Sequence, residues 1–255
     1  MPDDQKRKDD TWEVRDPDPA SFALLSGFAL QDRHNIESLL LAATAPRHMA
    51  CLELSARLQR AGVSVDTIAD LYIPAAARVL GEMWCSDERS FAEVTIGAAR
   101  LQAMLRHLGP DWSEGAPTRP QTGTILLVVA RGAYHTLGAM VLSGQLRRKG
   151  NSVRVILGAS PADVGARLEM ACYDAVFLSA SRGERLESLR QIVEAVRQSR
   201  SPGTRVVVGG PILLDAPDAA ALIGADFASM SPDEALEFCG LSEKTPQLVK
   251  TQRGH

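Results

Sequence analysis

Hydrophobic residues recur at steps of three and four along the first half of the chain. The clearest such stripe, between residues 66 and 84, consists of Ile68, Leu71, Tyr72, Ala75, Val79 and Met83. This spacing predicts a helix with one buried face. Pro74 lies inside the stripe, and because proline has no amide hydrogen we expect a kink or a break there.

The neighbouring segments show the same helical period. A second stripe consists of Phe91, Val94, Ala98, Leu101, Leu105 and Leu108. Weaker patterns predict helices over about 34–43 and 47–61. Four helices with short connections predict a small helical bundle over 31–108.

The pattern changes near residue 124, where short apolar runs begin to alternate with helical stretches. The runs are TILLVVA (124–130), SVRVILG (152–158), AVFLSAS (175–181) and TRVVVGG (204–210), with a weaker strand near 226–229. Helices are predicted over about 137–149, 162–171 and 184–199, and in SPDEALEFCG. Strands that alternate with helices predict right-handed βαβ units and a parallel sheet. The fold class is therefore α/β, flavodoxin-like (Rossmann-like), with five strands in the order 2-1-3-4-5.

Composition marks the boundaries between these regions. The stretch 109–123, GPDWSEGAPTRPQTG, contains three Pro and three Gly and predicts an interdomain linker. Residues 1–30 begin with a strongly charged segment and predict a disordered acidic tail, and 241–255 predict a polar tail. The two folded regions are then a helical cap domain, 31–108, and an α/β domain, 124–240.

Charge and hydropathy narrow the class of protein. The net charge is -3, which gives no general attraction to nucleic acid or to acidic membranes. No apolar run approaches the roughly 20 residues of a membrane span. The four cysteines form no C-x-x-C pair, so we expect reduced thiols and a cytoplasmic protein. No helix-turn-helix with a basic recognition face is evident, which argues against direct DNA binding.

Candidate binding residues follow three of the predicted strands. The loops are RGAYHTLG after the first strand, SASRG after the third and GGP after the fourth. In the order 2-1-3-4-5 these three strands are adjacent, so their loops border one crevice at the carboxyl edge of the sheet. The candidate binding residues in these loops are His135, Gly138, Ser179, Ser181, Gly209 and Gly210.

The chemistry of these residues favours a large ligand that carries a transition metal. The first loop has neither a dinucleotide-binding nor a P-loop motif, and few carboxylates follow the strands, which argues against hard cations. The imidazole of His135 suits a borderline metal, and glycines let backbone approach a bulky group. Corrin and haem both fit this description.

Each residue also has a simpler explanation. His135 could be a surface residue. The hydroxyl of Ser179 could bond to backbone beyond its own strand. Gly209 and Gly210, followed by Pro211, could form only a turn.

The three loops together resemble the cobalamin-binding module of the methionine-synthase type, which carries D-x-H-x-x-G, S-x-L and G-G at these places. HTLG supplies His135 and Gly138, SAS supplies Ser179, and GG is Gly209–Gly210. The resemblance implies that His135 replaces the dimethylbenzimidazole as the lower axial ligand of cobalt. It also implies that the displaced nucleotide tail runs into a slot lined by the serine and glycine loops.

The helical half resembles the same family and departs from it in places. LYIPAAARVLGEMW is similar to the helix that caps the upper corrin face, which places Trp84 there. Nine residues separate Trp84 from Val94 and Thr95, where related photoreceptors have Glu-His. Without that pair, water or hydroxide is favoured over adenosyl as the upper ligand. In the α/β half, Ala133 replaces the aspartate of D-x-H and Ser181 the leucine of S-x-L; the missing aspartate argues against methyl transfer.

The bundle sequence SFAEVTIGAARLQ and the loop AYHTLG resemble the AerR/PpaA group of cobalamin-binding antirepressors. This resemblance implies a light-responsive regulator, not an enzyme, that acts on a PpsR/CrtJ-type repressor of photosynthesis genes. Two alternatives stay open at this point: a stand-alone corrinoid carrier for a methyltransferase, and a haem-binding sensor.

Overall fold

The computed structural model describes residues 23–108, 122–133, 136–201 and 203–242. The chain divides into two compact units, 1–108 and 109–255, which are described separately. The linker expected over 109–123 and the tail expected over 241–255 fall almost entirely outside the described residues. No helix among the described residues is long and apolar enough to cross a bilayer.

The first unit is helical, as its periodicity predicts. Its helices are α1 (Leu30–Thr44), α2 (Ala50–Arg60), α3 (Val65–Thr67), α4 (Ile73–Cys85) and α5 (Phe91–His107). Helix α1 packs against α4 and α5, and the apolar stripes of these helices supply the core. The unit begins before the expected boundary at residue 30, because Leu25 is buried with 1% of its surface exposed.

Pro74 does not break the helix that contains it. The residues between α3 and α4, Ile68–Tyr72, form a π-helical turn that joins the two α-helices. In this wider turn the amide of Ile73 donates to the carbonyl of Ile68, five residues earlier. Pro74 then lies in the first turn of α4, where its missing amide hydrogen costs little. The buried hydroxyl of Tyr72 donates to Asp32 at 2.7 Å and anchors this turn to α1.

The second unit is a doubly wound parallel sheet. Its strands are β1 (Gly123–Ala130), β2 (Asn151–Ala159), β3 (Ala175–Ser179), β4 (Arg205–Gly209) and β5 (Phe227–Ala228). Its helices are α6 (Leu137–Arg148), α7 (Pro161–Met170), α8 (Leu186–Arg197), α9 (Ile212–Asp215), α10 (Ala219–Ile223) and α11 (Pro232–Cys239). The strand order is β2-β1-β3-β4-β5 with all neighbours parallel, which confirms the predicted fold class. Helices α9 and α10 were not predicted, since each is too short to show a period.

Strand β1, which lies between β2 and β3, shows why the strands of this sheet are nearly continuous apolar runs in the sequence. Leu126 and Val128 face a core formed with α7, α8 and α10, whereas Leu127 and Val129 face a core formed with α6 and α11. Successive side chains of a strand point to opposite faces, so a strand covered on both faces is apolar at every position. Because helices cover both faces of the sheet, the carboxyl ends of the strands, which we call the carboxyl edge, are where the predicted loops lie.

Candidate functional site

The carboxyl ends of β1, β3 and β4 lie side by side. Val128 of β1 pairs with Leu178 of β3, and Ser179 at the end of β3 pairs with Gly209 at the end of β4. The strand that follows β1 in sequence, β2, lies on one side of the β1–β3 pair, and the strand that follows β3, β4, lies on the other side. The space between the ends of β1 and β3 is therefore the topological switch point of the sheet. The structure therefore brings the loops after β1, β3 and β4 to one edge, as the sequence predicts.

Gly209 and Gly210 are required by the packing of the protein itself. The amide of Ala180 donates to the carbonyl of Gly209 at 2.9 Å, which joins the loops after β3 and β4. A Cβ on Gly209 would lie 2.6 Å from the carbonyl oxygen of Ser229, beyond β5. Gly210 has a φ of +105°, and a Cβ there would collide with the carbonyl oxygen of Ala180. The close approach that the sequence suggested for a ligand is thus made, at these two positions, by neighbouring backbone.

Gly138, unlike Gly209 and Gly210, is not required by the packing of the described residues. It lies in the first turn of α6, it is exposed, and a Cβ added there would meet no atom of the described residues outside its own helix within 4 Å. Its φ is not in the left-handed region, so the backbone does not require glycine either. Within the described residues, the fold gives no reason for glycine at this position.

The serine hydroxyls of the loop after β3 are accessible for binding. Ser179 and Ser181 are half-buried, and neither hydroxyl has a hydrogen-bond partner among the described residues. The backbone bond that the simpler explanation offered for Ser179 is therefore not present in the described part of the chain. The amide of Ser181 donates to the carboxylate of Glu184 at 2.6 Å, which holds the loop in a compact turn.

His135, the expected axial ligand, lies outside the described residues, together with Tyr134. The chain is described up to Ala133, whose amide donates to the carbonyl of Ala130 at 3.2 Å, and again from Thr136 onward. The assignment of His135 to cobalt therefore stays a prediction that rests on the motif.

The same edge carries two arginines that the sequence analysis passed over. Arg131 follows β1 and Arg182 follows β3, and each precedes a glycine with positive φ. The available signal was the dipeptide Arg-Gly, which occurs after both of these apolar runs.

Each of these arginines forms an ion pair with one aspartate. Arg131 contacts Asp163 at 3.2 Å, and Arg182 contacts Asp215 at 3.5 Å. Hydrogen bonds from the side chain and backbone of Ser160, with a smaller contribution from Arg131, lower the pKa of Asp163 below its ordinary value. Asp163 and Asp215 belong to helices and not to the segments that directly follow β1, β3 and β4, and no cluster of three or more potential metal ligands occurs among the described residues.

In the helical unit, Trp84 is exposed and is not part of the core. Half of its surface, 50%, is accessible, and its ring lies edge-on to that of Phe91, with the centroids 6.1 Å apart and the planes at 61°. Val94 is half-buried and Thr95 is exposed on α5. The helical stripe had assigned Phe91 to the buried face, which was wrong, since 70% of its surface is exposed.

The turn between α4 and α5 holds this aromatic pair firmly. The carbonyl of Met83 accepts the amides of Glu88 and Arg89 at 2.9 and 3.1 Å. Ser90 and Glu93 form a reciprocal capping box at the start of α5, and the buried guanidinium of Arg89 donates to Glu93 at 3.1 Å. Burial alone would raise the pKa of Glu93, but the hydrogen bonds from Ser90 and Arg89 outweigh it and hold that pKa below its usual range. Exposed aromatics on such a rigid turn form a preorganised apolar surface.

Comparisons with known proteins show the family to which this chain belongs. Residues 123–237 match the family model described as "B12 binding domain". A curated Rhodobacter capsulatus protein, described as an uncharacterized 20.5 kDa protein in the bchF-crtJ intergenic region, is 34% identical over 169 residues. That match covers 66% of this chain and 88% of the relative.

The chain is thus a cobalamin-binding protein with a methionine-synthase-type module. It belongs to the AerR/PpaA group of B12-binding proteins, as the resemblance implied. The solved structure of the monomethylamine corrinoid protein of Methanosarcina barkeri is similar in fold. Its TM-score is 0.66 at 14% identity, with 81% of this chain and 97% of that chain covered.

The contrast between Gly138 and Gly210 gives a direct test of which glycines serve the fold and which serve the ligand. Gly138→Ala should leave the free energy of unfolding unchanged or raise it by up to about 1 kcal/mol, because alanine favours the helix. The same variant should bind hydroxocobalamin more weakly, since its methyl group occupies open space at the site. Gly210→Ala should lower the free energy of unfolding by roughly 1–3 kcal/mol through backbone strain.

Urea unfolding of the cofactor-free variants and titration with hydroxocobalamin measure the two effects. Equal destabilisation by both substitutions would show that Gly138 also serves the fold. Unchanged cobalamin affinity in a stable Gly138→Ala protein would remove that position from the ligand site.

Proposed function

We propose that this protein is a light-responsive antirepressor that binds cobalamin and acts on a PpsR/CrtJ-type repressor of photosynthesis genes. The observation that carries the proposal is the 34% identical relative from the bchF-crtJ intergenic region, combined with the B12-binding match over 123–237. We assign the protein no catalytic residues, and its role is to bind the cofactor and a protein partner.

The described residues fit a large ligand with polar substituents. The open space at Gly138 and the hydroxyls of Ser179 and Ser181, which lack described partners, lie at the switch-point edge where such ligands bind. When bound, the cofactor supplies a cobalt centre whose bond to an upper alkyl group is broken by light. In this proposal His135 is the lower axial ligand, and the two serines line the slot for the nucleotide tail beside the loop of Gly209 and Gly210.

The upper face of the corrin is assigned to the helical unit. Trp84 is exposed and contacts the ring of Phe91 edge-on, which suits a residue that contacts a ligand. Val94 and Thr95 offer neither a carboxylate nor an imidazole, so the proposed resident form carries water or hydroxide. A bulky adenosyl group would compete with the Trp84 indole for the same space.

Light acts on the partner in this scheme through the upper ligand. A ligand shifts a conformational equilibrium only when it binds the two states with different free energies. A cofactor with a bulky upper group would compete with the Trp84 indole for space, whereas one with water or hydroxide would not, and this would supply the difference in binding free energy. The state favoured with the small upper ligand is then the one that binds the repressor.

A first test concerns the axial ligand. We expect His135→Ala to lower the affinity for hydroxocobalamin about tenfold or more and to shift the visible bands of the bound cofactor. His48→Ala is the matched control, because His48 is exposed on the helical unit. Spectra and affinities that are the same in both variants and in the wild type would exclude His135 as the axial ligand. Absorption spectra of protein supplied with haem test the haem-binding alternative in the same experiment.

A second test concerns the upper face. In the dark, the wild-type protein should bind hydroxocobalamin more tightly than adenosylcobalamin. Trp84→Ala should reduce the ratio of these two affinities, because the indole that competes with the adenosyl group is gone. Leu41→Ala, which truncates another exposed apolar side chain of the helical unit, should keep the wild-type ratio. Equal dark affinities of the wild-type protein for the two cobalamins would contradict the steric mechanism.

A third test concerns the partner. Protein loaded with hydroxocobalamin should release a purified PpsR/CrtJ-type repressor from its operator DNA in a gel-shift titration, and cofactor-free protein should release less. Protein mixed with adenosylcobalamin should release the repressor from its operator DNA only after illumination. Methyl transfer from a methyl donor to the loaded protein, with no effect on the repressor, would favour the corrinoid carrier instead.

A further inference from the structure

A cavity lies at the end of the sheet where the strands begin, which we call the amino edge. Its volume is about 670 Å³, which is within the range of roughly 300–1,000 Å³ that is common for ligand sites. It is lined by Arg197, Gly203, Arg205, Gly224, Asp226 and Phe238. All the candidate cobalamin residues of the α/β unit follow the strands at the carboxyl edge, so this cavity is a different site.

One wall of the cavity is held in place by the protein itself. Arg197, at the end of α8, donates to the carbonyl of Thr204 at 2.8 Å and to the carboxylate of Asp226 at 2.7 Å. The other oxygen of Asp226 accepts the amide of Val206 at 2.6 Å. Burial alone would raise the pKa of Asp226, but the hydrogen bonds from Arg197 and Val206 outweigh it and hold that pKa below its ordinary value. This wall is therefore preorganised and charged.

Arg205, the first residue of β4, is held differently. Its guanidinium lies over the ring of Phe238, 5.0 Å from the centroid, and donates to the carbonyl of the same residue. The Phe238 ring stacks in turn on Phe227, with the centroids 4.5 Å apart and the planes at 9°. This stack fixes the orientation of the exposed guanidinium. Within the described residues, no carboxylate pairs with Arg205, and most of its N–H donors are available to a ligand in the cavity.

The charges of this cavity suit an organic phosphate. Two guanidinium groups and one carboxylate line it, which leaves a net positive charge. The guanidinium is a planar fork whose parallel N–H groups match the oxygens of a phosphate. The cavity is much larger than an inorganic phosphate, so there is room for an organic group beside the anion.

We propose that the cavity at the amino edge binds a small organic phosphate of the nucleotide or sugar-phosphate class. Arg205 binds the phosphate through the N–H donors that Phe238 leaves available, and the organic part of the ligand fills the space between Gly203 and Gly224. The site is separate from the carboxyl edge, so this ligand and cobalamin can be bound at the same time. The proposal does not depend on the antirepressor function.

The experiment uses AMP as the probe on the full chain, in calorimetric titrations with and without bound hydroxocobalamin. The wild-type protein should bind AMP more tightly than inorganic phosphate or adenosine, because each of these lacks one half of the ligand. Arg205→Gln should lower the affinity for AMP about tenfold, since it removes a charge-assisted hydrogen bond. Raising the salt concentration should weaken AMP binding to the wild type, because salt screens exposed charges.

Two further variants separate ligand binding from general charge and from folding. Arg200→Gln removes a nearby exposed guanidinium, paired with Glu169, that does not line the cavity, and should change the AMP affinity by less than about twofold. Arg205→Lys keeps the charge but loses the planar fork, and should also weaken AMP binding. Urea unfolding checks that both Arg205 variants are folded, and Arg205→Lys serves as the test if Arg205→Gln is unstable.

Three results would overturn the proposal. The first is that the wild-type protein shows no saturable binding of AMP. The second is that a folded Arg205 variant retains the wild-type affinity, or that Arg200→Gln loses as much affinity as Arg205→Gln. The third is that bound hydroxocobalamin prevents AMP binding, which would place the nucleotide at the carboxyl edge.

Discussion

The close backbone approach at the ends of β3, β4 and β5 is the constraint on which the candidate site depends. Ala180 donates to the carbonyl of Gly209, and Gly210 lies directly against the carbonyl of Ala180. No side chain fits between these segments, so the loop after β4 cannot move away without breaking the sheet edge. The position of Ser179, which pairs with Gly209, is set by the same contact. The serine loop is therefore placed by backbone geometry before any ligand binds.

Glycines at this edge serve two physical purposes that a sequence motif does not separate. Gly210 satisfies a positive φ and a close approach of the protein to itself, whereas Gly138 satisfies neither and leaves open space in a helical turn. A glycine in a helix costs about 1 kcal/mol relative to alanine, and the contacts of the described residues do not explain its presence at position 138. The motif H-x-x-G thus contains one position that the fold does not explain, and that position adjoins the expected axial ligand.

Exposed side chains are held in different ways in the two units. At the edge of the sheet, polar groups are held by contacts that are weak and exchangeable, such as the exposed ion pairs of Arg131 and Arg182. In the helical unit, the pair formed by Trp84 and Phe91 is held by a turn with buried Arg89 and a capping box.

The sequence by itself determined the architecture of both units, because helical and strand periods are local properties of the chain. The apolar runs at 124–130 and 204–210 and the helices between them are enough to predict a parallel sheet, its strand order and the edge that carries the loops. The motif residues on that edge could also be identified, since the family pattern is written in consecutive letters.

Only the tertiary structure decided which of those residues the fold needs and which it leaves free. A helical period predicts that Phe91 lies on the same face as the buried residues of α5, but it does not show whether another element covers that face, and 70% of the surface of Phe91 is exposed. Pro74 predicts a disturbed helix, yet whether the chain breaks or widens into a π-turn depends on contacts such as that between Tyr72 and Asp32. Gly138 and Gly210 are the same letter in the sequence. They differ because an atom lies beside one and not the other, and that distance exists only once the strands are side by side.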